Sequence, residues 1–140
     1  MYKDKFCIEP FGKVCWFIVA DTPKDVNDFF SRDADFIPTK EDEILYAEVM
    51  EFNLKGIWNI AFVLYPRGLL LKDDVLCGLI VHEINHIKNK MYSFTGIKPK
   101  LSNDENESYF LEYLFNKILK LYRKYQVIQC KLIVKEFKDG

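Results

Sequence analysis

Histidine occurs only twice in the 140-residue chain, as His82 and His86. On a helix, residues four apart lie one turn apart on one face, so imidazoles at this spacing can reach a single metal ion. The segment reads His82-Glu83-Ile84-Asn85-His86. Glu83 sits about 100° around the helix from His82, which lets its carboxylate reach water at that ion without ligating it. The chemistry this suits is that of zinc, which lowers the pKa of a bound water towards about 7. Glu83 is then the expected general base. It would take the water's proton as hydroxide attacks a carbonyl and return it to the leaving amine.

Catalytic zinc usually takes three protein ligands and keeps one position for water. With no third histidine, and with Asn89 and Tyr92 out of keeping with an extended His-containing motif, the remaining choice is a carboxylate from a following helix. Asp104-Glu105-Asn106-Glu107 supplies the candidates. Glu105 and Glu107 are about 200° apart on a helix and cannot both face one ion. Glu105 shares a polar face with Ser108, Tyr109, Glu112 and Asn116, whereas Glu107 lies nearer the side of Phe110, Leu114, Ile118 and Leu121. The reading takes Glu105 as third ligand. Glu107, or no third protein ligand at all, remains the alternative. A capping box at Ser102-Asn103-Asp104-Glu105 would also explain an acid there.

These residues need a helix to carry the histidines and a second helix to return beside it. A helix is predicted over 72–91, with Asp73 and Asp74 favourable in its first turn. Leu76, Cys77, Ile80, Ile84, Ile87 and Met91 form its apolar stripe, and the histidines point nearly opposite to that stripe. After a loop containing Gly96 and Pro99, a helix is predicted from 102 past 120. Residues 127–137 are ambiguous between strand and continued helix. Upstream, 14–20, 44–52 and 57–65 read as strands, rich in β-branched and aromatic residues. Residues 6–11 are a candidate pairing partner for 14–20, weakened by Pro10. Residues 53–56 suit a hairpin connection. Thr22-Pro23-Lys24-Asp25 reads as a helix start, with the helix running to about 31.

The length fits one domain over 1–140. A net charge of −1 gives no electrostatic case for nucleic acid, and the basic cluster over 117–124 reads as the solvated face of a helix. No apolar run approaches a membrane span. Cys7, Cys15, Cys77 and Cys130 lack any Cys-x-x-Cys pairing and read as reduced, buried thiols of a cytoplasmic protein.

The motif, the short loop and the acid-led segment together resemble small phage and prophage zincin-like proteins. Those carry a segment of the form Asp-Glu-x-x-Ala-Tyr-Leu-x-Gly-Tyr-Leu after HExxH. Here Asp104-Glu105-Asn106-Glu107-Ser108-Tyr109-Phe110-Leu111-Glu112-Tyr113-Leu114 matches it except at Ser108, Phe110 and Glu112. A more distant similarity is to ImmA/IrrE-type metallopeptidases, which pair an HExxH helix with a glutamate on the next helix. The resemblance covers roughly 76–114. It implies an α+β, minimal zincin-like fold, with a small three- to four-stranded sheet packed on the HExxH helix and a C-terminal helix. It implies His82, His86 and Glu105 as zinc ligands, Glu83 as base, and a peptide or protein substrate. In such folds a sheet edge can hold an extended peptide as an added strand, and 57–65 is the candidate edge. The alternative functions are a non-enzymatic phage virion or assembly protein, or a regulator that targets a repressor, built on the same scaffold.

Overall fold

A computed structural model describes residues 1–31, 37–98, 100, 102 and 104–139. The chain is α+β, built on a four-stranded mixed sheet. The strands are β1 (Tyr2–Ile8), β2 (Lys13–Val19), β3 (Ala47–Leu54) and β4 (Ile57–Leu64), in the order β1-β2-β4-β3. β1 pairs with β2 and β3 with β4 antiparallel, while β2 and β4 run parallel at the centre. Helix α1 (Pro23–Phe30) lies between β2 and β3 in sequence. A short α2 (Pro66–Leu69), α3 (Asp73–Thr95) and α4 (Asp104–Asp139) follow β4.

Alternation along the strands divides the core into two layers. Phe17, Ile60, Phe62 and Leu64 point to one face, where Ile80, Ile84 and Ile87 of α3 and Leu114 and Ile118 of α4 cover them. Ile18, Ala61, Val63 and Tyr65 point to the other, against Val26 and Phe30 of α1. β4 is therefore buried on both faces and hydrogen-bonded on both sides. This corrects the expectation that 57–65 is an edge. The edges are β1 and β3, and the unbroken apolar run over 60–65 is the mark of a central strand.

Most local expectations have a direct structural counterpart. Thr22 Oγ1 accepts from the Asp25 amide at 3.3 Å and caps α1. Leu54 pairs with Ile57, so Lys55 and Gly56 alone make the β3–β4 turn. Both have positive φ, 52° and 79°, as the two-residue hairpin turn that follows strand twist requires. α3 ends at Gly96 in the left-handed conformation, whose amide position glycine tolerates without penalty. The ambiguous stretch 127–137 is helical, part of a 36-residue α4. The capping box expected at 102–105 includes Asn103, which lies outside the described residues, as does Pro99.

The link between central strand and α3 is tight. A Cβ added at Gly68 would stand 2.4 Å from the Tyr46 carbonyl oxygen and 2.7 Å from Leu64 Cδ1. Backbone cannot yield as a flexible side-chain tip can. Gly68→Ala is expected to destabilise the fold by about 1–3 kcal/mol, the usual cost of overpacking. Urea denaturation measures this, and an unchanged midpoint would contradict the close approach.

Candidate metal centre

α3 carries its apolar stripe inward, with Leu76, Ile80, Ile84, Ile87 and Met91 all buried. That fixes the rotation of the helix and turns His82 and His86 to solvent. Their Nε2 atoms are 3.3 Å apart and their rings meet edge to face, with centroids separated by 4.9 Å. Two neutral imidazoles can share one N–H at this distance. The separation also fits a metal: two nitrogens each about 2.0–2.1 Å from a tetrahedral centre are about 3.3–3.4 Å apart.

Glu83 is buried, 6% exposed, on the flank of α3 that faces β3. Burial pushes its carboxyl above the usual range, and neighbouring His82 offsets part of that rise. Glu48 of β3, on the sheet face of Met50 and Phe52, lies within electrostatic reach of Glu83. Burial raises its carboxyl as well; Thr39 and Tyr65 pull it down, and the negative charges of Glu43 and Glu83 push it up again. Thr39 Oγ1 donates to Glu48 Oε1 at 2.7 Å, and Asn27 of α1 holds the Thr39 backbone through both its N–H and its C=O.

About two turns further along α3, Lys90 Nζ reaches Glu51 Oε1 at 3.4 Å. Seven residues of helix rise about 10.5 Å and three of strand about 10 Å. With Lys90 paired to Glu51 and Glu83 within electrostatic reach of Glu48, α3 runs alongside β3 in the same direction. The free edge of β3 lies against the helix that carries the histidines. A cavity of about 500 Å³ follows this edge, with Glu48, Glu51, Trp58 and Lys90 in its lining. Sequence reasoning assigned neither Glu48 nor Lys90 a place beside the site. The available signal was the pair of acids at 48 and 51 within an apolar strand, a pattern that marks an edge.

The acids of α4 separate as their angular positions require. Glu105, Ser108, Tyr109, Glu112 and Asn116 form the exposed face of the helix. Glu107 turns toward α3, where its carboxylate makes an ion pair with Lys88, a residue whose side chain is only 8% exposed. Tyr92 stacks on Phe110 beside this pair. The structure thus brings His82, Glu83 and His86 together. It places Glu105 on the first turn of α4, and among the described residues no group of three or more His, Cys, Asp or Glu is arranged to hold a metal ion.

The four cysteines are unpaired. Cys15 is buried, which drives its thiol far above its ordinary range, and Cys77 is partly buried. Cys7 and Cys130 are exposed, which corrects the expectation that all four are buried. Among the described residues no helix is long and apolar enough to cross a membrane. The chain matches no family model, no curated protein and no solved structure.

Proposed function

We propose that the chain is a zinc-dependent peptidase of the zincin type, similar to the small phage and prophage proteins that its motif resembles. His82 and His86 would hold the ion and Glu105 would complete the set. The observation that carries the reading is the 3.3 Å separation of the two Nε2 atoms, the spacing of two tetrahedral zinc ligands. Zinc bound there supplies Lewis acidity, polarising a carbonyl and lowering the pKa of water in its coordination sphere.

The remaining work falls to the chain's own residues. Glu83, one position from His82 and screened from bulk solvent, accepts the proton of the attacking water and delivers it to the departing amine. Among the described residues β3 pairs with β4 alone, so an extended peptide could add along its outer edge as a fifth strand. Its side chains would alternate between the Glu48 side and the Glu51–Lys90 side of the edge.

The test is metal analysis of the purified chain. One zinc per chain is expected, with nitrogen and oxygen scatterers in X-ray absorption and no sulfur. Glu105→Ala is expected to weaken zinc by more than the roughly 10- to 100-fold typical of losing an outer-shell partner. Protein that refuses zinc at neutral pH would end this reading. Retention of full affinity in Glu105→Ala would remove that residue from the ligand set.

A second reading keeps the scaffold and drops the chemistry. In it the chain is a virion or assembly component, or a regulator that binds a repressor. One observation favours it: the second half of α4 leaves the domain with its apolar residues uncovered, Phe137 at 84% exposure.

A further inference from the structure

α4 belongs to the core only as far as Tyr125. Leu114, Ile118 and Tyr122 are buried, and Leu121 and Tyr125 pack on the same cluster. Residues 126–139 then continue as helix for about 20 Å, and every residue from 131 to 139 is exposed. A helical segment of this length is marginal in water without something to pack against. Val127, Cys130, Val134 and Phe137, spaced 3, 4 and 3 apart, make one apolar stripe along it. Lys131, Lys135 and Lys138 form a basic row on one flank of that stripe, in line with Lys124, which is paired with Asp4 of β1.

The charge of the chain is divided accordingly. Residues 120–140 hold six basic and two acidic side chains, net +4, while residues 1–119 hold 14 basic and 19 acidic, net −5. The body also bears a patch of matching character at the entrance to β3. Ile37, Ile44 and Tyr46 are exposed there at 85%, 64% and 45%. Glu41, Asp42 and Glu43 lie among them, also exposed. Stripe and patch are each apolar surface bordered by charge, of opposite sign. Two tails packed on each other would set like-charged lysine rows side by side in an antiparallel pair, which argues against that arrangement.

We infer that the occupant of the tail is a second copy of this chain. The helix 126–139 of each copy docks its apolar stripe on the 37–46 patch of the other, with its lysines over Glu41, Asp42 and Glu43. The exchange is reciprocal, so it closes as a two-fold pair and does not propagate into a filament. The inference does not depend on metal or on hydrolysis.

The experiment is light scattering and sedimentation of the full chain over a concentration series, at low and high salt. A dimer is expected whose dissociation constant rises with ionic strength. Reversing the tail (Lys131→Glu, Lys135→Glu, Lys138→Glu) should weaken it by about tenfold or more, as should reversing the patch (Glu41→Lys, Asp42→Lys, Glu43→Lys). The protein carrying both reversals should dimerise again. All six positions are exposed, and circular dichroism confirms the fold of each variant. A wild-type chain that stays monomeric overturns the inference. So does a dimer indifferent to either reversal, which would indicate tail-to-tail pairing, or a doubly reversed protein that remains monomeric.

Discussion

If the chain is the zinc peptidase proposed, Glu83→Gln is expected to keep the fold and the zinc while lowering peptide hydrolysis by roughly 10²- to 10⁴-fold, the usual contribution of a general base. The two side chains have the same shape, and Glu83 does not share the histidine face, so removing its charge takes away no ligand. The substitution also relieves a cost. Burial raises the Glu83 carboxyl, which means that folding disfavours its ionised form. In metal-free wild-type protein this group's contribution to stability falls as pH rises from the ordinary glutamate range through the raised value. The glutamine variant lacks that loss and should melt at or above the wild-type temperature at neutral pH. Cleavage is read by mass spectrometry on a proteome-derived peptide library, with zinc content measured on the same samples. Equal cleavage by variant and wild type would remove Glu83 from the chemistry. Full complementation by the Glu83→Gln gene, in a setting where deletion has a phenotype, would instead favour the scaffold reading.

Glu107→Ala should do the opposite, costing stability and sparing the metal. It strips the partner from Lys88, whose side chain is 8% exposed between α3 and α4. Breaking a buried pair by removing one member costs about 3–5 kcal/mol, because the other charge stays behind without compensation. The 23% exposure of Glu107 lets water reach the vacated space, so a loss of about 3 kcal/mol is the expected result in urea denaturation. Replacing both partners, Lys88→Met with Glu107→Leu, should recover most of it. If Glu107→Ala releases zinc at unchanged stability, the roles of the two acids are the reverse of those proposed.

The histidine pair was legible in the sequence because helical periodicity alone sets it. A buried stripe fixes rotation, and residues four apart then share whatever direction the stripe leaves. The same geometry separated Glu105 from Glu107, but it could not say what each would meet. Lys88 is 19 residues away from Glu107, and its pairing is a property of how two helices cross. The edge strand was misplaced for a related reason: strand order is tertiary information. Even so, the run Ile60-Ala61-Phe62-Val63-Leu64-Tyr65 lacks the polar alternation that a one-sided strand shows. The tail misleads locally, since Val127, Ile128, Ile133 and Val134 favour strand. Residues 104–139 hold neither glycine nor proline. The stripe Leu114, Ile118, Leu121, Tyr125, Ile128, Leu132 keeps helical period across the ambiguous region, so nothing stops the helix.

The inward anchoring of α3 also sets the entropy of capture. His82 and His86 already stand at ligand spacing on a helix whose other side is core, so little backbone freedom is lost when they close on an ion. Glu105 sits on the exposed first turn of the next helix, and on the zinc reading its ordering is the step still to be taken. Association of metal with the two imidazoles should then be fast and insensitive to changes in the loop around Gly96. The residence time of the ion should follow that loop closely. Shortening or stiffening the connection between α3 and α4 would change how long zinc stays, with little effect on how quickly it arrives.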